Sequence, residues 1–240
     1  MMKLLLAKKI IKLLPKGKSF LINFVLKFGN KFNGIITLED GRRFYIGKVL
    51  PIYRGLFFTG TYESEVTELI KSKIKEGDYC LDLGANYGYY TTLFSRLVGD
   101  SGKVTAFEMS EEAVKNLRQN ILENRMTNVV IENKAIGNKN EEVNYFDSEI
   151  DHQGSFLNKL SAPTIRKVQM VMLDSYGIDK LDFIKCDLYG SEALFLEGAR
   201  ETLAKFKPQM TIVNYDGVMS ELCRYGYKFL KLEGNNVFCY

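Results

Sequence analysis

The sequence predicts an α/β fold: a mostly parallel, seven-stranded sheet with helices on both faces, closed by a C-terminal antiparallel hairpin. Three observations favour this fold. Short apolar segments typical of buried strands alternate with longer segments of helical character. The strand segments are largely apolar along their length, as parallel strands covered on both faces are. The 240-residue chain is 46% hydrophobic, so it can bury one large core without a disulfide or a structural metal.

The alternating region begins at Asp78. Its predicted strands lie at 79–83, 103–108, 129–131, 142–146, 167–173, 181–187 and 209–215. The predicted helices between them lie at 88–98, 110–124 and 191–206. Ser110 followed by Glu111 and Glu112 is typical of a helix start, because acidic side chains interact favourably with the positive end of the helix dipole. Two further strands, over 227–232 and 237–240, are predicted to form the closing hairpin.

A shorter region precedes the main domain. Residues 2–14 predict an amphipathic helix with lysines on one face and leucines and isoleucines on the other. An Asp-Gly pair between two apolar segments predicts a hairpin over 35–46, and a helix over 62–75 follows. We therefore expect a basic N-terminal extension over 1–57 and a main domain over 58–240.

The positive charge is concentrated at the N-terminus. Residues 1–38 contain eight lysines and no acid, so the remainder of a chain of net charge +4 carries a net charge of −4. Two interpretations stay open: residues 1–18 attach peripherally to an anionic membrane, where each lysine contributes about 1 kcal/mol, or the helix packs on the domain. Neither the helix over 2–14 nor a second apolar stretch from Phe20 to Phe28 reaches the roughly 20 residues that span a bilayer. The acidic main domain argues against a nucleic-acid partner.

The four cysteines and the single histidine bear on metal binding and location. No C-x-x-C pair occurs, so we expect no metal site. Cys80 and Cys186 lie in apolar segments, where a reduced thiol behaves as a small hydrophobic side chain. We therefore expect a reduced, cytoplasmic protein, with peripheral membrane attachment as the open alternative. The sequence leaves the oligomeric state undetermined.

A glycine-containing turn after the first strand of the main domain carries the strongest functional signal. It reads Asp82-Leu83-Gly84-Ala85-Asn86-Tyr87-Gly88, and an acid, Glu108, ends the next strand. Ligands of open α/β sheets bind at this edge, where Glu108 can accept hydrogen bonds from both ribose hydroxyls of an adenosine. The G-x-x-x-G spacing differs from the G-x-G-x-x-G of dinucleotide sites. Asp82 would repel a pyrophosphate but attract a cationic ligand such as S-adenosylmethionine.

Five ordered stretches of the chain match a known family pattern. They are Tyr62-Glu63-Ser64-Glu65, LDLGANYGYYT (81–91), VTAFEMSEEAVKNLRQNI (104–121), NKAIG (133–137) and LDFIKCDLYGSEALFLEGA (181–199). In these stretches the sequence resembles the FkbM family of S-adenosylmethionine-dependent methyltransferases. The resemblance implies a class I methyltransferase (Rossmann-like) fold and, with this cofactor, methylation of a hydroxyl oxygen on a small molecule or a glycan.

The resemblance also implies a set of cofactor-binding residues. These are Asp82, Gly84, Asn86, Gly88 and Glu108. The predicted cofactor site further includes Glu65, Ala85, Met109, Ala135 and Asp187. Two positions depart from the family pattern: Tyr189 replaces an acid, and Asn214 stands where a Glu is common. These departures support one alternative, a methyltransferase-like binding protein without turnover; the other alternative is a nicotinamide-dependent oxidoreductase.

Two residues are candidates for the base that a hydroxyl nucleophile needs. Asp187 ends the fourth main strand at the ligand edge of the sheet, and His152 lies in the loop over 147–163. For each, a structural alternative stays open: a helix cap for Asp187 and a solvated loop histidine for His152. We interpret Glu192, in the first turn of the following helix, as a partner of the helix dipole.

Overall fold

A computed structural model describes residues 34–46, 56, 59–147, 154–155, 164–215 and 217–240. The predicted helix over 2–14 and the candidate base His152 lie outside the described residues. The chain divides into two compact units, one that ends at Ser64 and one that begins at Glu65. The first unit contains the predicted hairpin, and the second contains the α/β domain.

The described strands are β1 (Gly34–Thr37), β2 (Arg43–Ile46), β3 (Tyr79–Leu83), β4 (Lys103–Phe107), β5 (Val129–Glu132), β6 (Ala135–Ile136), β7 (Glu141–Asp147), β8 (Gly154–Ser155), β9 (Thr164–Val171), β10 (Phe183–Cys186), β11 (Gln209–Val213), β12 (Phe229–Lys231) and β13 (Asn236–Cys239). The described α-helices are α1 (Ser64–Lys73), α2 (Tyr89–Val98), α3 (Glu111–Glu123), α4 (Glu192–Glu197), α5 (Arg200–Phe206) and α6 (Val218–Arg224). A 3₁₀ turn spans Leu173–Tyr176.

The hairpin of the first unit pairs β1 with β2 antiparallel, as the Asp-Gly signal predicts. Its turn is held by Asp40, whose carboxylate accepts the backbone N–H of Arg42 at 3.0 Å and Nε of the same residue at 2.7 Å. Phe44 and Ile46 are buried completely. Alternating side chains of this hairpin are therefore buried on one of its sides.

The main sheet of the second unit has seven strands in the order β12-β13-β11-β10-β3-β4-β5. The strands from β11 to β5 are parallel, and β13 pairs antiparallel with both β11 and β12. The predicted fold class is confirmed, including the C-terminal hairpin that closes the sheet. Because β3 and β10 are neighbours at the centre, the loops that follow them meet at the carboxyl edge.

One predicted helix is wrong, because the structure divides it into two helices. The segment predicted as a single helix over 191–206 forms α4 and α5, which are separated at Gly198 and Ala199. A Cβ added to Gly198 would collide with the carbonyl oxygen of Gly137. The chain bends there because only a glycine lets the two backbones approach so closely, and this contact between distant segments has no local signal.

A second sheet was not predicted as a sheet. The strands expected over 142–146 and 167–173 are present as β7 and β9, which pair along their whole length. With β6 and β8 they form a four-stranded sheet of order β6-β9-β7-β8. Its strands come from the part of the chain that follows β5 and precedes β10. Its small core contains Ala135, Tyr145, Val168 and Met170. Helix α6 is a further element that the sequence reasoning missed.

The two faces of the main sheet differ in polarity. Successive side chains of a strand point to opposite faces, so Leu83 of β3 and Ile184 of β10 lie on one face within the large apolar core. On the other face Asp82 is aligned with Lys185 of β10, and Lys185 with Thr211 of β11. All three polar side chains are buried. The polar face is continuous with the carboxyl edge at which the predicted site lies.

Candidate cofactor-binding site

The turn after β3 is tied to the end of β4 by main-chain hydrogen bonds. The N–H groups of Gly84 and Ala85 both donate to the carbonyl oxygen of Phe107, each at 3.0 Å, and the N–H of Gly88 donates to the carbonyl of Ala85 at 2.8 Å. Helix α2 starts immediately afterwards at Tyr89. The turn predicted from the glycine spacing is therefore present and joins a strand to a helix.

Gly84 brings this turn against the loop that follows β10. Its φ is +80°, and a Cβ at this position would collide with the carbonyl oxygen of Asp187. The N–H of Asp187 in turn donates to the carbonyl of Leu83 at 3.0 Å. Gly84 and Asp187, separated by about a hundred residues in the sequence, are thus direct neighbours, as their predicted positions at the same sheet edge require.

Asparagines hold the middle of the turn in place. Asn86 adopts a left-handed conformation with φ +49°, and its side-chain oxygen accepts the N–H of Tyr87 at 2.8 Å. From α3, the buried amide of Asn120 donates to the carbonyl of Tyr87 at 2.8 Å. The turn is therefore rigid before any ligand arrives, and Asn120, which the sequence reasoning missed, is one of its supports.

Glu108 lies at the end of β4 with 7% of its surface exposed. One carboxylate oxygen accepts the N–H of Asn86 at 2.7 Å, and the other accepts the N–H of Ser110 at 2.8 Å. Burial raises the pKa of Glu108 to about 7, although these main-chain hydrogen bonds favour the charged form. The N–H of Met109 also hydrogen-bonds this carboxylate. An ionised carboxylate offers about four acceptor positions, so roughly one remains for a hydroxyl donor.

Asp82 lies deeper, within β3 itself, with 2% of its surface exposed. Its carboxylate accepts the hydroxyl of Thr91, from α2, at 2.5 Å. Burial raises the pKa of Asp82 to about 6, while the Thr91 hydrogen bond and the positive charge of Lys185 act in the opposite direction. Asp82 is consequently a buried charge beneath the turn, with Thr91 as a support that the sequence reasoning missed.

The loop after β10 is shaped by Glu192. This side chain is completely buried, and its two oxygens accept the N–H groups of Leu188 and Gly190 at 2.7 and 2.9 Å. Burial raises the pKa of Glu192 to about 7. Between those two N–H groups, Tyr189 takes a left-handed conformation with φ +51°. Glu192 therefore binds main-chain groups at the helix start, in line with its interpretation as a structural acid, and leaves the partly exposed Asp187 at the edge.

The remaining predicted residues lie around this centre. Glu65 is exposed in the first turn of α1, where its N–H donates to Glu233 at 2.7 Å. Met109 follows Glu108, and its carbonyl accepts the hydroxyl of Tyr145 at 3.2 Å. Ala135 is buried beside Tyr145 in the second sheet. The structure thus brings the residues of the glycine turn, Glu108 and Asp187 together, and Met109 and Ala135 lie on the side of the second sheet.

Two absences hold within the described part of the chain. No helix among those residues is long and apolar enough to cross a membrane. No group of three or more His, Cys, Asp or Glu side chains in the same ranges is arranged to hold a metal ion.

The parallel sheet order, the turn and the acids at the strand ends define a class I methyltransferase fold. The family model of the methyltransferase FkbM domain matches residues 82–231, well over half of the chain. This chain therefore belongs to the FkbM methyltransferase family, whose members use S-adenosylmethionine as cofactor.

Two similar proteins illustrate the relationship. The crystal structure of methyltransferase FkbM from Methylobacillus flagellatus KT superposes with a TM-score of 0.52 at 15% identity, covering 79% of this chain and 53% of that one. A probable cobalt-precorrin-6B C(15)-methyltransferase (decarboxylating) from Sulfurisphaera tokodaii is 33% identical over 89 residues, which are 37% of this chain and 45% of the relative. The chain thus spans about half the length of each. At this identity the structural match concerns the fold alone.

Proposed function

We propose that the chain binds S-adenosylmethionine at the carboxyl edge of β3, β4 and β10 and transfers its methyl group to a hydroxyl oxygen of a small molecule or a glycan. The observation that carries the proposal is the hydrogen bonding of the Glu108 carboxylate. Its carboxylate is already oriented by the main-chain N–H groups of Asn86, Met109 and Ser110, and it keeps some acceptor capacity for a ligand. Such a preoriented acceptor suits the hydroxyls of a ribose.

The rest of the site fits the same ligand. Gly84 and Gly88 let the turn pack closely against the Asp187 carbonyl and the Leu117 side chain, so that its main chain lies at the sheet edge where a ligand would bind. The negative charges of Asp82 and Asp187 suit the ammonium and sulfonium groups of the methionine part. We assign supporting contacts to Ala85, Asn86, Met109, Ala135 and Glu65.

The chemistry follows from these positions. When bound, S-adenosylmethionine supplies an electrophilic methyl group. The acceptor oxygen forms a bond to the methyl carbon as the bond from carbon to sulfur breaks, so the residues must hold oxygen, carbon and sulfur in line and exclude water. The hydroxyl proton goes to a base. We assign this base to Asp187, which lies beside Gly84, and keep His152 as the second candidate.

The organisation around the domain is part of the proposal. We propose that residues 58–240 form the methyltransferase domain and that the basic extension over 1–57 is separate from catalysis. Residues 1–18 would attach a cytoplasmic protein to anionic membranes through their lysines. Co-sedimentation with anionic liposomes decides this point: equal pelleting with and without residues 1–18 would remove the membrane contact.

The experiment that tests the cofactor site is calorimetric titration with S-adenosylmethionine and S-adenosylhomocysteine. Glu108→Gln and Asp82→Asn should each weaken binding by about tenfold or more, since a hydrogen bond to a charged group contributes about 1.5–3 kcal/mol. Glu111→Gln is the matched control, because Glu111 is exposed at the start of α3 and should leave binding unchanged.

Three outcomes would redirect the proposal: one of this titration, one of a parallel titration with NAD(P), and one of a methyl-transfer assay. Unchanged binding in both site variants would show that the site assignment is wrong. Tight binding of NAD(P) without binding of S-adenosylhomocysteine would support the oxidoreductase alternative. Cofactor binding without methyl transfer to a broad panel of hydroxyl and carbon acceptors would favour a binding protein without turnover.

A further inference from the structure

Lys185 is a buried cation that the proposed reaction does not use. It lies within β10, where its side chain is 1% exposed. Lysine is almost never buried to this extent unless it is paired, because an ammonium loses its hydration. The residues on either side of it, Ile184 and Cys186, are also buried and point to the opposite, apolar face. Strand formation alone therefore gives no reason for a lysine at this position.

The groups around Lys185 belong to the cofactor site. Its Nζ lies 3.4 Å from an oxygen of Asp187 and 5.3 Å from the ring centroid of Tyr90 on α2. On the neighbouring strand it is aligned with Asp82. On the other side it is aligned with Thr211 of β11, which is uncharged. The titratable groups placed near it by these contacts and by the strand register include Asp82, Asp187 and the Tyr90 phenol.

We propose that Lys185 is a positioning residue of the cofactor site: its buried ammonium holds the Asp187 side chain at the sheet edge and keeps Asp82 and Asp187 charged together. This inference rests on the proposed function, since it gives these two acids their role toward a cationic ligand. It adds a residue that the glycine turn and the strand-end acids do not include.

The physical reason is charge compensation in a site of low dielectric. Two carboxylates brought together by adjacent strands repel each other, and a ligand that covers them removes the water that screens the repulsion. The Lys185 ammonium, which lies 3.4 Å from Asp187 and is aligned with Asp82 by the strand register, offsets this repulsion, and it has three N–H donors with which to do so. Without it, one acid would take up a proton and lose its attraction for a positively charged ligand.

A packing role for the lysine stem makes a different prediction. Loss of packing lowers stability by the same amount at every pH, whereas loss of a counter-charge matters only where the carboxylates are ionised. The pH dependence therefore separates the two roles. Lys180→Met is the matched control, because Lys180 lies before the same strand, is 53% exposed and pairs with Asp182 away from the site.

The first measurement uses the protein without ligand. Unfolding of wild type, Lys185→Met, Lys185→Arg and Lys185→Met/Asp187→Asn is followed from about pH 5 to about pH 9. Lys185→Met should lose stability relative to wild type increasingly as the pH rises, because its acids then ionise without compensation. Lys185→Arg and the double variant should follow the wild-type pH dependence, and Lys180→Met should show no pH-dependent difference.

The second measurement is the affinity for S-adenosylhomocysteine over the same range. In Lys185→Met the pH midpoint of binding should move upward by about one unit, which makes binding about tenfold weaker at pH values well below both midpoints and leaves it nearly unchanged well above them. Lys185→Arg and the double variant should restore the wild-type midpoint. If Lys185→Met does not fold, the double variant takes its place, and its midpoint is compared with that of Asp187→Asn alone. A lower midpoint in Asp187→Asn, which keeps the ammonium beside Asp82, is then the supporting result, and a shared midpoint contradicts the inference.

Two results would overturn the inference. One is a folded Lys185→Met whose stability loss and binding midpoint do not depend on pH. The other is a double variant that is no better than Lys185→Met. Failure of the proposed function is distinguishable from both: wild type would then not bind S-adenosylhomocysteine at any pH, while the ligand-free series would still decide whether Lys185 compensates the acids.

Discussion

Successive residues at the centre of the main sheet are buried to the same extent but carry opposite chemistry on its two faces. On β3 and β10, Leu83 and Ile184 are completely buried on one face, and Asp82 and Lys185 are 2% and 1% exposed on the other. The two kinds of residue alternate along the same strands. The apolar and the charged residues are therefore compared on the same two strands and at similar burial.

This difference shows that burial has two opposite effects on the free energy of folding in this domain. Burying a Leu or Ile side chain stabilises the fold by about 1.5–3 kcal/mol. Burying a charge costs free energy unless it is paired and hydrogen-bonded, and each acid here has such a partner: Thr91 for Asp82, main-chain N–H groups for Glu108. The apolar residues stabilise the fold, and the buried charges lie where the ligand site is proposed.

The largest effect should come from the apolar face. Ile184→Ala removes a completely buried side chain next to Lys185 and should lower the free energy of unfolding by about 2–5 kcal/mol. Because Ile184 points away from the site, the loss should be the same at all pH values, with unchanged affinity for S-adenosylhomocysteine. Chemical denaturation and calorimetry check both points. A pH-dependent loss would show that the two faces are not independent.

A smaller effect concerns the pH dependence of the wild type. Burial raises the pKa of Asp82 to about 6 and the pKa values of Glu108 and Glu192 to about 7. The folded form then binds protons more tightly than the unfolded chain, so this stability is present at low pH and lost as the pH rises through these values. The free energy of unfolding should fall by about 1–3 kcal/mol between about pH 6 and about pH 8.

The ligand should reverse this trend. S-adenosylhomocysteine needs ionised carboxylates as hydrogen-bond acceptors, so the increase in Tm that it produces should be larger at the higher pH. Thermal unfolding with and without S-adenosylhomocysteine, at about pH 6 and at about pH 8, measures the two trends together. An increase in Tm that is larger at the lower pH would contradict the role assigned to Glu108.

The smallest effect should come from Thr91→Val. This change keeps the shape but removes the hydroxyl that donates to Asp82, and it should destabilise the protein by about 1–3 kcal/mol at pH values where Asp82 is charged, with little loss when it is protonated. Thr92→Val is the comparison, because the Thr92 hydroxyl donates to main-chain carbonyls of its own helix. Equal losses at low and high pH for Thr91→Val would show that its hydrogen bond does not support a charged Asp82.

The elements predicted from sequence succeeded where the signal is local. Strand β3 has the predicted bounds, and α3 begins after Ser110, whose hydroxyl accepts the N–H of Ala113 at 3.4 Å. The glycine turn and Glu108 could be located in the same way, since a turn residue and a strand-end acid are visible in a short window. The break between α4 and α5 could not, because it depends on a backbone contact between Gly198 and Gly137.

The sequence by itself determined the alternation of strands and helices in the main domain, the position of the glycine turn and the membership of the family, because each depends on the identity and spacing of neighbouring residues. Only the tertiary structure decided the partners of the buried charges: Thr91 for Asp82, Asp187 for Lys185, and the N–H groups of Asn86 and Ser110 for Glu108. The free energy of a buried charge depends on the groups around it in space, and strand pairing brings those groups from distant parts of the chain.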